Sequence, residues 1–244
     1  MRAPALATTV RVLQQLRRDP RTVALLLVVP CVLLTLVRFI VNADNPVFDR
    51  FGLPLVGIFP LVSMFVVTSI AVLRERTSGT LERLLTLPLA KFDILAGYGI
   101  GFALVAVVQA TLLSVVAVGV LGLDSRGPVW LLGALAVGNA LLGMALGLFL
   151  SAFASTEFQA VQFMPAFVLP QLLLCGLAVS RDAMALPLYW LSGALPMTYA
   201  YEGLNEVRSS TGVSVEAMTD LAIVVGVTVP ALLAGAATLR RRTA

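Results

Sequence analysis

The residues best able to do chemistry lie in one short run, residues 74–88, between two long apolar segments. Its charged side chains are Arg74, Glu75, Arg76, Glu82 and Arg83. The sequence contains no His, which excludes His-based zinc sites, catalytic triads and His proton relays. Cys31 and Cys175 lie inside apolar segments, which favours packing over a disulfide or a metal site. No metal site is therefore predicted, and the charged run is expected to bind another protein rather than to catalyse a reaction.

The local sequence of this run predicts a helix end followed by a short second helix. Thr77, Ser78 and Gly79 can break the outgoing helix, because Gly frees the backbone and Ser or Thr can cap the next helix. Residues 80–87 are predicted to form that helix, which Pro88 stops. One side of this helix is apolar at helical spacing, and the residues on it are Leu81, Leu84 and Leu85. A short amphipathic helix in water can be bound by another protein, although an ordinary solvated loop is the simpler alternative.

The composition indicates a polytopic membrane protein. The chain has 244 residues, of which 59% are hydrophobic and only 12% are charged. Its mean hydropathy is +0.97, whereas a soluble domain is normally about a quarter charged. The net charge of +4 is better explained by membrane orientation than by nucleic-acid binding, because the Arg residues cluster beside apolar segments. No phosphate-binding loop of the Gly-x4-Gly-Lys-Ser/Thr type is present, so no ATP site of that kind is expected.

Six membrane spans are predicted, because a bilayer core of about 30 Å needs about 20 helical residues. Their approximate bounds are 22–41, 53–73, 92–122, 129–153, 158–179 and 221–239. The run 22–41 is longer than the apolar core of a signal peptide, so cleavage there is not expected. Residues 74–91 form a loop on one side, and residues 180–220 form the largest loop on the other.

Residues 1–21 are too polar to span and are predicted to form an amphipathic helix on the membrane surface. Leu6, Val10 and Leu13 recur at helical spacing. The opposite side carries Arg11, Gln14, Arg17 and Arg18. Asp19-Pro20 is the predicted end of this helix. The alternative is a plain basic flank before the first span.

The distribution of basic residues predicts that both termini lie in the cytoplasm. Six spans place both termini on one side, together with residues 74–91. Twelve of the 17 Lys and Arg residues fall in 1–21, 74–91 and 239–244, and five fall elsewhere. Because cytoplasmic loops carry the excess of basic residues, this orientation is favoured, and it places the charged run in the cytoplasm.

Small and polar residues inside the spans predict how the helices meet. Gly97-x3-Gly101 and Gly143-x3-Gly147 are close-packing faces for other helices. Four amides are candidates for lining a substrate path, and they are Gln109, Asn139, Gln162 and Gln171. The alternative is that these amides tie helices together. No acidic residue lies near a span centre, which argues against a cationic substrate held by charge pairing and against proton-driven antiport.

The pattern Glu75-x3-Gly79-Thr80-Leu81-Glu82-x5-Pro88 resembles the segment after the second span in bacterial type-2 ABC exporter permeases, and most of all the permeases of daunorubicin-type drug exporters. A second likeness lies in Pro170-Gln-Leu-Leu-Leu-Cys-Gly176 and Leu195-Pro-Met-Thr-Tyr199. The chain departs from the family at Cys175, where Ser is frequent, and at Asn205, where Arg is frequent. The resemblance covers essentially the whole chain in span count, charged loop and large last outer loop.

The resemblance implies an all-α integral membrane fold of six spans, with an N-terminal amphipathic helix and a cytoplasmic coupling helix that contacts an ATPase subunit. It implies these coupling residues: Glu75, Gly79, Thr80, Leu81, Glu82, Leu84, Leu85 and Pro88. Leu81, Leu84 and Leu85 would fill the ATPase groove, and Gly79 would supply the bend. Family members carry a comparable interfacial helix before the first span.

The implied function is that of an export permease in the bacterial plasma membrane. Two permease subunits, identical or different, would pair with two ATPase subunits that bind Mg-ATP, while this chain itself carries no cofactor. An amphipathic drug or a lipid would be the substrate. The alternatives are a proton-coupled secondary transporter, an intramembrane protease or another polytopic membrane protein. Buried Asp, Glu or His would favour the first of these, and a paired catalytic constellation would favour the second.

Overall fold

The computed structural model describes residues 3–41, 47–79 and 91–238, and within these ranges the regular structure is entirely helical. The helices are α1 (Ala3–Arg18), α2 (Pro20–Val41), α3 (Val47–Thr77), α4 (Lys91–Val115), α5 (Val129–Leu150), α6 (Glu157–Leu174), α7 (Leu186–Gly193), α8 (Pro196–Ser209) and α9 (Val215–Thr238). A π-helical turn, Val116–Val120, extends α4, and a 3-10 turn, Ser151–Phe153, extends α5. The predicted all-α class is confirmed for this part of the chain.

Five of the described helices are long and apolar enough to cross a membrane. These spans are Pro20–Ile40, Arg50–Thr77, Ala96–Val120, Val129–Phe153 and Val215–Gly235. Five such helices in one chain make it a multi-pass membrane protein, as its composition predicts.

The predicted fifth span, 158–179, is the one that does not meet this standard. Its helix α6 has 18 residues, ends at Leu174 and contains Pro165 and Pro170. At about 1.5 Å per residue it is about 27 Å long, slightly less than a bilayer core of about 30 Å. Glu157 and the glutamines of α6 also lower its hydropathy. The predicted count of six spans is therefore not confirmed by length and composition.

Several predicted boundaries shift by a few residues. Helix α3 continues to Thr77 instead of ending at residue 73, and α9 begins at Val215 instead of residue 221. The stretch 180–220, predicted as the large outer loop, contains α7 and α8. In α3 and α9 the helix extends beyond the apolar run, because backbone hydrogen bonding does not require apolar side chains.

The junction between α1 and α2 explains why two helices form instead of one. The carboxylate of Asp19 accepts hydrogen bonds from the Thr22 backbone N–H, at 3.2 Å, and from the Thr22 hydroxyl, at 2.6 Å. This is an N-cap, with Pro20 at the first helical position, where a missing N–H costs nothing. The hydrogen bond from the Thr22 side chain lowers the pKa of Asp19. The predicted end of the first helix at Asp19-Pro20 is confirmed.

The centre of the bundle is the contact between α3 and α5, which is the most extensive helix pair in the described residues. A Cβ added at Gly143 would overlap the carbonyl oxygen of Leu61, and one at Gly147 would lie 2.5 Å from that of Phe65. Only glycine lets the two backbones approach so closely. The predicted packing face Gly143-x3-Gly147 is confirmed, and its partner is α3.

The second predicted packing face, Gly97-x3-Gly101, is also confirmed, but it receives α1 and not a membrane span. A Cβ at Gly97 would overlap Thr8, and one at Gly101 would lie 3.0 Å from Val12. The Thr9 hydroxyl donates to the Gly97 carbonyl oxygen at 3.1 Å. Helix α1 is therefore docked on α4 through small and β-branched residues.

This docking differs from the predicted two-sided helix on the membrane surface. The side of α1 that is buried against α4 carries Ala5, Thr8, Thr9 and Val12, whereas Leu6 and Val10 are about half exposed. The apolar residues at helical spacing thus face away from the bundle. Threonine can serve as a packing residue because its hydroxyl is satisfied by a backbone carbonyl. The contact of Leu6 and Val10 with lipid stays a prediction.

The contacts also fix the direction in which each helix runs. In the contacts between α3 and α5, and in those between α5 and α9, the residue numbers increase together along both helices. The helices α3, α5 and α9 therefore run parallel. Helix α4 runs against α3, because Tyr98 lies near the end of α3 and Gln109 beside Ser63. The contact of Arg74 with Glu157 brings the beginning of α6 to the end of α3.

Candidate functional site

The last turn of α3, Arg74–Arg76, is called here the charged turn, and a glycine bend follows it. The Ser78 N–H donates to the Arg74 carbonyl oxygen at 2.9 Å, and the Thr77 hydroxyl donates to that of Leu73 at 3.1 Å. Gly79 has φ 71°, in the left-handed region that favours glycine, and a Cβ there would meet nothing within 4 Å. The helix thus breaks at the Thr77-Ser78-Gly79 run, as the sequence predicts.

Consecutive residues of an α-helix project about 100° apart, so the side chains of the charged turn reach three different elements. Arg74 binds Glu157 at the beginning of α6, Glu75 binds Arg11 of α1, and Arg76 binds the Ser151 carbonyl at the end of α5. One turn of helix therefore joins three neighbouring elements directly before residues 80–88.

The contact between Arg74 and Glu157 is a two-pronged ion pair. The Arg74 Nε and Nη2 atoms donate to the two Glu157 oxygens at 2.7 and 3.0 Å. Both side chains are about half exposed, at 57% and 50%. The hydrogen bond from Arg74 lowers the pKa of Glu157. Because water and salt screen such a pair, it is worth at most about 1 kcal/mol and can open and close readily.

The contact between Glu75 and Arg11 is more enclosed. Arg11 Nη2 donates to Glu75 Oε2 at 2.7 Å, and the Glu75 side chain is only 10% exposed. The same Nη2 atom also donates to the hydroxyl of Tyr98 on α4, and the guanidinium lies 5.6 Å from the centroid of the Tyr98 ring. The sequence predicts Arg11 on the polar side of a membrane-surface helix, whereas in the structure Arg11 joins α1 to α3 and α4.

The contact between Arg76 and Ser151 satisfies a helix end. Arg76 Nη1 donates to the Ser151 carbonyl oxygen at 2.7 Å. The last carbonyls of a helix lack partners within the helix and carry partial negative charge, so a guanidinium there is favourable. This contact fixes the end of α5 to the end of α3.

The described residues include only part of the predicted coupling site. Glu75 lies in the charged turn, and Gly79 forms the bend after it. Outside the described residues lie Thr80, Leu81, Glu82, Leu84, Leu85 and Pro88, so the predicted coupling helix stays a prediction. In the part of the chain that is described, no group of three or more Cys, Asp or Glu residues could hold a metal ion.

The structure does not bring the four candidate substrate-path amides together. Gln109 is buried, and its Nε2 donates to the Leu26 carbonyl oxygen at 3.0 Å and to the Ser63 hydroxyl. It thereby joins α4 to α2 and α3, which is the alternative role of tying helices together. Gln171 is buried and donates to the Phe167 carbonyl oxygen of its own helix at 3.0 Å.

The other two amides have different surroundings. Asn139 is buried in α5 beside Gly57 of α3, and its Oδ1 has no hydrogen-bond partner among the residues that the structure describes. Gln162 is exposed on α6. Gln162 is thus the one member of this set with an open side chain, and a path lined by all four within one chain gains no support.

A second polar region lies at the opposite end of the bundle. A cleft of about 540 Å³ between α8 and α9 is lined by carboxylates, and these are Glu202, Glu206, Glu216 and Asp220. Arg181 donates to Glu202 at 2.6 Å and to the Ser192 hydroxyl at 2.9 Å. This network ties the segment after α6 to α7 and α8.

Sequence reasoning missed the partners of the charged turn. It predicted Glu75 as a coupling residue and did not single out Glu157 or Arg11 as binding residues. One signal was available. Glu157 is the only charged residue of the sequence between Arg126 and Arg181, and it lies at the turn between two predicted spans, on the side where the basic residues are concentrated. An arginine partner could therefore have been expected.

A family model and two related proteins all indicate the same family for this chain. The family model described as "ABC-2 type transporter" matches residues 5–207. A relative named "Probable multidrug ABC transporter permease YbhR", from Escherichia coli, is 32% identical over 138 residues, which cover 55% of this chain and 38% of that protein. "ABC transporter G family member 20" from Dictyostelium discoideum is 24% identical over 166 residues, which cover 68% of this chain and 23% of that protein. The matched regions thus span less than two fifths of the length of either relative.

Proposed function

The chain belongs to the ABC-2 type transporter family, and we propose that it is the permease subunit of an ATP-driven exporter in a bacterial plasma membrane. In this proposal a separate ATPase subunit binds Mg-ATP and supplies the energy. The observation that carries it is the charged turn, which ties α1, α5 and α6 to α3 immediately before residues 80–88. A force applied to those residues would act on several helices at once.

The coupling segment in this proposal is residues 80–88, a short amphipathic helix in the cytoplasm. Leu81, Leu84 and Leu85 fill a groove on the ATPase, and Glu82 pairs with a basic group there. Gly79 supports this arrangement, since its left-handed backbone lets the chain leave α3 at a sharp angle. Glu75 is proposed to act indirectly, because Arg11 already holds its carboxylate.

The proposed topology has six crossings with both termini in the cytoplasm. It is supported by helix direction: α3, α5 and α9 end at the level of the charged turn, whereas α4 and α6 begin there. Helix α6 therefore runs opposite to α5 and α9, as a sixth crossing between them requires. Prolines and a few polar residues are tolerated in a membrane helix where neighbouring helices or a water-filled cavity satisfy the freed backbone groups and the polar side chains.

The proposed substrate is an amphipathic drug or a lipid. The support is the name of the Escherichia coli relative, a probable multidrug permease, together with the apolar character of the spans. Two permease subunits, identical or different, would enclose the path, and ATP-driven closure of the ATPases would switch them between two rigid packings. Gln162 is the residue of this chain proposed to face that path.

The experiment that tests this function is co-purification with an ABC ATPase subunit of the same organism, followed by measurement of ATP hydrolysis and efflux. Glu82→Arg is expected to weaken assembly or to uncouple hydrolysis from efflux, while expression is retained. Glu216→Arg, a charge reversal at the opposite end of the bundle, is the matched control and should leave assembly intact. Normal efflux in Glu82→Arg, or equal loss in both variants, would contradict the assignment.

A further inference from the structure

A cleft of about 450 Å³ lies between α4, α5 and α9, and its walls belong to three of the candidate membrane spans. Its rim on α9 is formed by Val225, Val229 and Leu233, which are exposed, and Met144 and Thr228 are buried at its floor. The rim residues are four apart, so the cleft follows α9 for about 12 Å. We propose that an acyl chain of a membrane phospholipid, with its phosphate near the beginning of α4, occupies this apolar cleft.

The chemistry of the lining selects a hydrocarbon. Thr228 is the one polar residue among those that line the cleft, and its hydroxyl donates to the Val224 carbonyl oxygen at 2.8 Å. Among the described residues of the lining, no polar side chain has a donor left to bind water or the polar groups of a drug-like compound. Apolar cavities stay dry and take up apolar molecules, and at this depth the surrounding medium is lipid chains.

The small residues of α4 show that the chain itself leaves this space open. Ala96, Gly99 and Ala103 line the cleft, and a Cβ at Gly99 would meet nothing within 4 Å. Small residues in a membrane helix usually bring another helix into contact, as Gly97 and Gly101 do with α1 on the opposite face of α4. At Gly99 the third helix, α9, does not close the gap.

Charge favours a phospholipid with an anionic head group. Helix α4 begins at Lys91, and the sequence continues beyond α9 with Arg240, Arg241 and Arg242. The beginning of α4 and the end of α9 lie at the same end of the bundle. The sequence is therefore basic at both of these helix ends, and basic residues attract phosphate groups at a membrane surface.

Two variants test the occupant by filling space. Gly99→Leu places a side chain in the cleft. Gly133→Leu adds the same side chain to α5, at a position where space is also open but which does not line the cleft. The purified chain, incorporated in vesicles of phosphatidylglycerol and phosphatidylcholine and extracted in mild detergent, is examined by native mass spectrometry. Wild type and Gly133→Leu are expected to retain phospholipid, enriched in phosphatidylglycerol, and Gly99→Leu is expected to lose it.

A photo-reactive benzoylphenylalanine at Ile100, which lines the cleft, identifies the occupant directly. The expected product is a phospholipid adduct that Gly99→Leu abolishes and Gly133→Leu does not. A cross-link to a second copy of the chain, or equal lipid retention in all variants, would overturn the proposal. Because neither measurement uses the ATPase, failure here leaves the proposed transport function untouched.

Discussion

Arg11 connects three helices through a single guanidinium, and its partners decide where α1 lies. Glu75 supplies the charge, and the Tyr98 hydroxyl and ring supply a second contact. The Glu75 side chain is largely enclosed, so water cannot replace the guanidinium without cost. At this scale the charged turn combines one enclosed contact that holds α1 with one exposed contact, Arg74–Glu157, that can open.

Glu75→Ala is expected to lower the free energy of unfolding by about 1–3 kcal/mol, because it leaves the Arg11 charge without its partner. Thermal unfolding of the purified chain in detergent measures this loss. Glu216→Ala, which removes a carboxylate exposed at the beginning of α9, should change the free energy of unfolding by less than about 0.5 kcal/mol. Equal losses in the two variants would show that the Arg11–Glu75 contact does not hold α1.

The Arg74–Glu157 contact is expected to weaken only at low pH. Because Arg74 lowers the pKa of Glu157 in the folded protein, its stabilisation is complete above the unfolded pKa of about 4.3 and is lost as pH falls through the lower folded pKa. Glu157→Gln should therefore remove at most about 1 kcal/mol at pH 7 and reduce the acid-dependent loss of stability. An unchanged pH profile in Glu157→Gln would contradict the contact.

Among the helices, glycine faces determine which elements meet. Gly143 and Gly147 bring α5 against the α3 backbone, and Gly97 and Gly101 receive α1. Both faces could be predicted from spacing alone, because small residues four apart have few other uses in a membrane helix. Their partners could not, since spacing on one helix carries no information about its neighbour.

Gly143→Ala is expected to destabilise the bundle by about 1–3 kcal/mol, because the new Cβ overlaps the Leu61 carbonyl oxygen and forces α3 and α5 apart. Gly133→Ala lies on the same helix in open space and should be neutral or stabilising by up to about 1 kcal/mol. Unfolding of both variants in detergent compares the two effects. A Gly143→Ala protein as stable as wild type would mean that the α3–α5 approach is looser than described.

Other element-level features were predictable only in part. The end of α1 followed from Asp19-Pro20, whereas its buried side did not, because Thr8 and Thr9 bury against glycines and the larger Leu6 and Val10 stay outside. The extent of α6 was overestimated, since the helix ends at Leu174, shortly before Gly176 with its left-handed φ of 103°, although the apolar run continues to Val179. Propensity predicts that a helix forms, but tertiary contacts decide which side it buries.

For the whole molecule, the charged turn lies at the end of the bundle where α3, α5 and α9 end and where α4 and α6 begin. Glu75 and Gly79 were predicted as coupling residues from a motif, which stays a prediction. The structure adds the partners of the charged turn, and these are Arg11, Tyr98, Glu157 and Ser151. No sequence pattern encodes such contacts, which join residues 64 to 87 positions apart. A displacement of residues 80–88 is expected to move α1, α3 and α5 together.

The most direct measurement of the central claim is thiol labelling and cross-linking in cells that also produce the ATPase. Cys31→Ala and Cys175→Ala provide a cysteine-free background, to which Glu82→Cys or Thr211→Cys is added. We predict that Glu82→Cys cross-links to the ATPase and resists a membrane-impermeant thiol reagent outside the cell, whereas Thr211→Cys is labelled by that reagent. Labelling of Glu82→Cys from outside, with Thr211→Cys protected, would contradict the account.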